Sequence, residues 1–253
     1  MPKILITGCS SGFGLETARY FLEHGWSVIA TMRTPKEDLL PGSEHLQVLG
    51  LDVTDEASIR QATAAAGEID ALVNNAGVGL MSALEGTPVE AIRNLFEANV
   101  IGMMAVTKSF LPQFRQRKTG VIVNVSSSVT YQPLPMLTVY RATKAAVNAF
   151  SESLALELQP FGVRVRLVIP GHSPGTAFLQ NFRAAVEQNG VVVPEPYADL
   201  AKNMSAHVAS TSGSKTKPLD VAEAVWQAVT DPSCPTQLPA GQDAVEKEAR
   251  IRG

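Results

Sequence analysis

Residues 3–14 read Lys3-Ile4-Leu5-Ile6-Thr7-Gly8-Cys9-Ser10-Ser11-Gly12-Phe13-Gly14, an apolar run that ends in a glycine-rich turn. Ile4 to Thr7 has the length and composition of a buried strand, and Leu15 to His24 reads as the helix leaving the turn. After Gly25 a second β-rich run, Ser27 to Met32, completes a strand–helix–strand unit. At such a junction glycines clear Cβ atoms from the path of an anion approaching the N–H groups at the helix N-terminus, where the dipole favours negative charge. Gly8, Gly12 and Gly14, with Ser11 and Phe13 between them, are therefore candidate contacts for a dinucleotide diphosphate. The spacing is G-x-x-x-G-x-G rather than G-x-G-x-x-G, so a glycine-rich turn without a ligand stays open on this stretch alone.

The alternation of strand and helix continues. Leu46 to Leu51, Ala71 to Asn74, Gly120 to Val125 and Arg164 to Ile169 are further short strands, while Val89 to Arg117 and Val139 to Leu158 carry apolar residues at helical spacing. This pattern predicts an α/β fold: a doubly wound parallel sheet of about seven strands with helices on both faces. With 253 residues and 45% hydrophobic content, residues 1–253 are expected to form a single domain around one sizeable core. The stretch from about His172 to Pro218 reads differently, with Pro174, Gly175, Gly190, Pro194, Pro196 and the run Ser210-Thr211-Ser212-Gly213-Ser214. An irregular insertion late in such a domain is a candidate substrate-binding lid.

Composition narrows the function classes. The net charge is −3 with no Lys/Arg cluster, so no nucleic-acid partner is expected. Cys9 and Cys234 lie far apart with no ligand spacing, which argues against a disulfide framework or a metal site and fits the reducing cytoplasm. The first residues run straight into a strand, so no signal peptide is expected, and no stretch has the roughly 18 uncharged apolar residues of a membrane span.

The end of the second strand bears on the cofactor. A carboxylate there would bind an adenosine ribose 2′-hydroxyl, whereas a guanidinium pairs with a 2′-phosphate. The run is Ala30-Thr31-Met32-Arg33, so Arg33 favours NADP(H), with Ser11 able to add a hydroxyl; the alternative is an ordinary solvated arginine. Tyr140 and Lys144, four apart, share a helix face. A free phenol titrates near about 10 and needs a nearby positive charge to give up its proton at neutral pH, which Lys144 can supply. Ser127 precedes Tyr140 by thirteen residues and follows the strand ending at Val125, at the sheet edge where ligands bind in doubly wound folds. Ser126 and Ser128 flank it, and only the spacing selects Ser127. Asn99 is a poor helix-interior residue in an apolar stretch, which invites a special explanation.

In this order, Thr7-Gly8-x-x-x-Gly12-x-Gly14, Asp52, Asn74-Asn75-Ala76-Gly77, Asn99, Ser126-Ser127, Tyr140-x-x-x-Lys144 and Pro170-Gly171 resemble the short-chain dehydrogenase/reductase family, over essentially all of residues 3–171. The resemblance implies a Rossmann-type fold and hydride exchange between a nicotinamide and a carbonyl or alcohol. By the same resemblance Tyr140 is the general acid/base and Ser127 hydrogen-bonds the substrate oxygen. Lys144 would lower the phenol pKa and hold the nicotinamide ribose, and Asn99 would fix a water linking Lys144 to solvent. Asp52, with Val53 beside it, would contact the adenine, and Asn75, Ala76, Gly77, Pro170 and Gly171 would line the cofactor groove. Asp52 is also readable as a helix cap near Thr54, and Asn74 and Asn75 as turn formers. Ser11 and Arg33 resemble the NADP(H)-preferring estradiol 17β-dehydrogenase and retinol dehydrogenase branch, although shared cofactor elements do not transfer the substrate.

Departures from the family pattern are informative. The family places a nicotinamide-contacting threonine four residues after the glycine of Pro170-Gly171; here that position is Gly175 and the threonine is Thr176. Arg141, next to Tyr140, should point about 100° away around the helix and lie at the surface. Leu80, Met81, Pro133 to Leu137, Phe178, Leu179 and Phe182 are expected to border an apolar pocket for a small-molecule carbonyl or alcohol with hydrophobic bulk, with core packing as the alternative. The resemblance further implies a homodimer or homotetramer built on the long helices. The activity expected is an NADPH-dependent carbonyl reductase working reversibly on secondary alcohols; the alternatives are a steroid- or retinoid-type hydroxy dehydrogenase, or an NADP(H)-sensing protein without catalysis.

Overall fold

The structure is a computed structural model that describes residues 1–173, 190–210 and 215–252. In chain order β1 (Lys3–Thr7), α1 (Gly12–Glu23), β2 (Ser27–Met32), β3 (Leu46–Gly50), α2 (Glu56–Ala66) and β4 (Ala71–Asn74) form the first half. Then come α3 (Val89–Phe96), a π turn (Glu97–Ile101), α4 (Gly102–Arg117), β5 (Gly120–Val125), α5 (Thr138–Leu158) and β6 (Val163–Pro170). The chain finishes with α6 (Ala198–Ser210), α7 (Pro218–Thr230), β7 (Gln237–Ala240) and α8 (Gln242–Arg252).

Among the described residues the strands form one seven-stranded sheet in the order β3-β2-β1-β4-β5-β6-β7, every pair parallel. The order reverses between β1 and β4, and the crevice beyond their carboxyl ends, at Thr7 and Asn74, is where doubly wound sheets bind ligands.

Successive side chains of a strand point to opposite faces, and both faces are covered. Ile4 and Ile6 of β1 pack with Phe21 of α1 and Val221 and Val225 of α7, while Leu5 between them packs with Ile59 of α2, Phe110 and Phe114 of α4 and Leu154 of α5. Ile4, Leu5 and Ile6 are fully buried, which is why β1 reads as a continuous apolar run. Phe114, also fully buried, illustrates what this packing is worth: truncation to alanine at such a site costs about 3–5 kcal/mol.

Two departures from the sequence reading lie in these elements. Val89 to Arg117 is not one uniform α-helix but α3 and α4 joined by the π turn, which holds Asn99. A π turn inserts an extra residue into the helical ladder, and such turns are frequent at functional sites. The seventh strand, β7, contains Pro239, which cannot donate to a ladder and is confined to edges; among the described residues β7 pairs only with β6.

Candidate active site

The turns after β1 and β4 are tied together. Thr7 Oγ1 accepts from Asn75 N at 2.9 Å and Ala76 N at 3.0 Å, and Asn75 Nδ2 donates to Thr7 O at 2.9 Å and Gly8 O at 3.2 Å. Gly8 sits at φ +75°, and a Cβ there would meet Ala76 Cα at 2.9 Å. A Cβ on Gly14 would strike Asn75 Nδ2 and Gly8 O. The glycines thus let α1 and the 75–77 turn close on each other, and the Asn75 side chain is engaged with backbone carbonyls. At the start of α1, Ser11 is the N-cap residue, yet its side chain makes no cap hydrogen bond and the first turn carries no acid. In α2, by contrast, Asp55 accepts from Ala57 N at 2.8 Å and Glu56 follows it. The N-terminus of α1 therefore keeps unpaired donors for an anion. Phe13 packs against the core under α1.

Arg33 follows β2, exposed, and among the described residues no carboxylate lies within ion-pair distance of it. Asp52 is not a helix cap. Its Oδ1 accepts from Thr54 N at 2.9 Å and Thr54 Oγ1 at 2.7 Å, forming a side-chain turn, and Asp55 caps α2 instead. The Val53 carbonyl lies against Gly102 at the start of α4, with the Val53 side chain packed on the core beneath α2 and α4.

Ser127, Tyr140 and Lys144 come together at the carboxyl edge of β5. Tyr140 and Lys144 are each 7% exposed, and Lys144 Nζ donates to Val125 O at 3.0 Å. The Ser127 hydroxyl faces the Tyr140 phenol and favours its ionised form. Burial pushes the Tyr140 pKa up to about 12 against the opposing influence of Ser127, and burial pushes the Lys144 pKa down to about 8. Lys144 Nζ stands 6.0 Å from the Tyr140 ring centroid, and desolvation sets the direction of the phenol's shift in the resting site.

Asn99 completes the cluster from the π turn. Its Oδ1 accepts from Val78 N at 2.8 Å, and its Nδ2 donates to Val78 O at 2.8 Å and Thr143 Oγ1 at 3.2 Å. A Cβ on Gly77 would lie 3.1 Å from Asn99 Oδ1 and 3.7 Å from Lys144 Nζ, so the 75–78 turn is laid over both residues. Asn74 meanwhile points inward, donating to Thr107 Oγ1 at 2.9 Å and Asn124 Oδ1 at 2.8 Å.

The three consecutive serines have three different partners. Ser126 Oγ hydrogen-bonds Asn148 Oδ1 of α5, Ser127 meets Tyr140, and Ser128 Oγ accepts from Lys247 Nζ of α8 at 3.3 Å. Arg141 is not a free surface residue: Nε donates to Val129 O at 2.9 Å and NH2 to Thr130 O at 3.2 Å. It does turn away from Tyr140, and the direction it takes clamps the turn that carries Ser127. Sequence reasoning missed Asn148 and Lys247. Asn148 had a readable signal, because Tyr140, Lys144 and Asn148 recur every four residues on one helix face; Lys247 had none.

Leu80 packs with Leu95, Val139 and Tyr140, while Met81, Leu134, Met136 and Leu137 pack with Tyr197, Ala201 and Met204. The described part of the insertion thus lies on the loops that flank Tyr140. Val192 N donates to Gly86 O at 3.1 Å, and Glu85 beside the Tyr197 phenol raises its pKa. Met136, without glycine's freedom, adopts φ +64° as its carbonyl accepts from Ser82 N at 2.7 Å. Pro170 ends β6, and Gly171 N donates to Ala240 O at 3.1 Å. Thr176, Phe178, Leu179 and Phe182 lie outside the described residues. No helix among the described residues is long and apolar enough to cross a membrane.

A family model described as short chain dehydrogenase matches residues 2–187. The chain is 38% identical over 201 residues to the 3-ketodihydrosphingosine reductase of Bacteroides thetaiotaomicron, an alignment that covers 78% of this chain and 71% of that one. It is 41% identical over 180 residues to retinol dehydrogenase 8 of Homo sapiens, covering 66% of this chain and 58% of the relative. Among solved structures, the closed form of a serine dehydrogenase complexed with NADP+ superimposes with a TM-score of 0.79 at 30% identity, covering 94% of each chain. An oxidoreductase fold with this strand order, this pair of tied turns and this match along its length belongs to the short-chain dehydrogenase family.

Proposed function

We propose that the protein is an NADPH-dependent carbonyl reductase that also runs in reverse on secondary alcohols. The observation that carries the reading is the placing of the Ser127 hydroxyl toward the Tyr140 phenol, with the Lys144 ammonium donating to Val125 O beside them at the carboxyl edge of the sheet. The residues fit a dinucleotide: α1 starts without a side-chain cap or an acid, the glycines clear its approach, and Arg33 stands exposed with no carboxylate partner among the described residues. NADP(H) is favoured over NAD(H) because a guanidinium matches a 2′-phosphate, and the serine dehydrogenase relative was solved with NADP+. When bound, NADPH supplies the hydride.

The chain's own groups do the rest. Ser127 donates to the carbonyl oxygen and fixes its position beside Tyr140. The phenol, with its pKa pushed up to about 12, holds its proton at neutral pH and delivers it to the oxygen as negative charge develops there. Lys144 contributes positive charge beside the phenol, and Asn99 holds the 75–78 turn over it. The apolar wall of Met81, Leu134, Met136, Leu137 and Met204 favours a substrate with hydrophobic bulk, and thioethers adapt to irregular shapes. A second reading, a hydroxy dehydrogenase of the retinoid or steroid type, is favoured by the 41% identity to retinol dehydrogenase 8.

A panel of aliphatic, long-chain, steroid and retinoid carbonyls followed by NADPH absorbance tests both readings. Tyr140→Phe should abolish turnover and leave NADPH affinity intact; an active variant would overturn the assignment. Arg33→Asp should weaken NADPH binding by roughly 10- to 100-fold, the worth of one charge-assisted contact, and favour NADH. Unchanged cofactor preference would show that Arg33 does not read the phosphate.

A further inference from the structure

The insertion leaves the sheet at His172 and returns at Thr216, and these two residues are joined: Thr216 N donates to His172 O at 3.0 Å. One side chain from the far end of the sequence holds both. Asp243, in the first turn of α8, accepts from His172 N at 2.7 Å on Oδ2 and from Thr216 Oγ1 at 2.6 Å on Oδ1. Its carboxylate occupies the space a Cβ on Gly171 would take, so Gly171 admits it. Thr216 Oγ1 also lies 3.1 Å from Gly171 N. One turn further along α8, Lys247 Nζ stands 3.6 Å from Asp243 Oδ2 and donates to Ser128 Oγ at 3.3 Å, next to Ser127.

An acid in the first turn of a helix is ordinary, because it complements the dipole. That role needs no contact beyond its own helix. Asp243 instead is only 15% exposed and directs each carboxylate oxygen to a different end of the insertion, through hydrogen bonds strengthened by its charge. Within the insertion, Tyr197, Ala201 and Met204 pack against Met81 and Leu134 on the loops that flank Tyr140.

We propose that Asp243 is a positioning residue for the carbonyl substrate, holding both ends of the insertion and, through Lys247, the turn that carries Ser127. The wall against which the substrate lies and the hydroxyl that orients its oxygen are thereby set in one frame. The proposal rests on the carbonyl-reductase reading. It predicts a split between substrate and cofactor, since displacement of about 1 Å at a reacting centre is enough to lower turnover by up to roughly 100-fold.

The test compares wild type with Asp243→Ala, Thr216→Val, Thr216→Ser and Lys247→Met, using the best ketone from the panel. The readouts are KM and kcat for the ketone, NADPH affinity by cofactor fluorescence without ketone, and hydrogen exchange at the His172 amide. Asp243→Ala and Thr216→Val should raise the ketone KM by roughly tenfold or more while NADPH affinity changes by less than about twofold. Thr216→Ser keeps the hydroxyl and should restore the wild-type KM. Lys247→Met should lower kcat, because its contact is with the serine turn. Exchange at the His172 amide should accelerate by roughly tenfold in Asp243→Ala. If that variant does not fold, Thr216→Val against Thr216→Ser carries the same comparison. An unchanged ketone KM, or ketone KM and NADPH affinity weakened in parallel, would overturn the proposal while leaving the enzyme reading in place. A wild type that binds NADPH and reduces nothing overturns the enzyme reading, and this proposal with it.

Discussion

Replacing Lys144 with methionine should make the protein more stable at neutral pH, and the gain should vanish as pH rises. The ammonium is 7% exposed and Val125 O, at 3.0 Å, is its hydrogen-bond acceptor. Burial moves its pKa from 10.5 to about 8, a difference of about 2.5, which at 1.36 kcal/mol per pKa unit corresponds to roughly 3 kcal/mol. The folded value lies below the unfolded one. Below pH 8 both states carry the proton and the fold bears the full desolvation cost; between 8 and 10.5 the folded protein releases the proton before the unfolded chain does, and the cost fades. Methionine keeps the stem's packing but gives up the bond to Val125 O, a loss of about 1 kcal/mol. The variant should therefore be about 2 kcal/mol more stable at pH 7 and slightly less stable than wild type near pH 10.5. Urea unfolding followed by the fluorescence of Trp26 and Trp226, both packed against the core, measures the difference at each pH. Cys9, whose buried thiol is pushed up to about 12, destabilises both proteins alike above pH 9 and cancels in the comparison. A gap that stays constant from pH 7 to 10.5, or a variant less stable at pH 7, would refute the reasoning.

Two further outcomes are expected. Gly14→Ala forces a methyl group onto Asn75 Nδ2 and the Gly8 carbonyl; it should destabilise by about 1–3 kcal/mol and abolish NADPH binding, and full cofactor affinity by fluorescence titration would contradict the tied-turn geometry. Asn148→Ala leaves the buried Ser126 hydroxyl without its partner, so an unfolding free energy lowered by about 1–3 kcal/mol is expected together with a reduced kcat; wild-type kcat would show that the Ser127 turn does not need this anchor.

What was legible in the sequence was local. Gly8 at φ +75° and Gly14 against Asn75 can hardly be other residues, so a glycine there announces a backbone requirement. Likewise Ile4 to Ile6 must be apolar because both faces of β1 are covered. Illegible were features fixed by distant partners. Lys247 meets Ser128 across 119 residues and Asp243 meets His172 across 71, and each reads in sequence as a helix-surface charge. Met136 has no glycine or asparagine to advertise its positive φ, and Pro239 hides β7 by breaking the expected strand pattern. Arg141 was legible in direction but not in partner: helix geometry turned it from Tyr140, and only the fold shows that the Val129 and Thr130 carbonyls lie there.

The titration order of the site also follows from burial, not from residue type. In water a tyrosine and a lysine release their protons at similar pH; here burial separates them, the lysine to about 8 and the phenol to about 12, because the lysine's charged form has the proton and the tyrosine's charged form lacks it. Between these values the pair is a neutral amine beside a neutral phenol, and below about 8 a cation beside a neutral phenol. In neither state is the phenol a ready base. Alcohol oxidation needs a base at the outset, whereas reduction needs an acid at the end, handing its proton to an alkoxide that is more basic than a phenolate. A protonated phenol meets the second requirement without any prior ionisation, and a charged Lys144 stabilises the phenolate it leaves behind. Burial in the resting site therefore keeps the proton on Tyr140 at neutral pH, where the proposed reduction would draw on it.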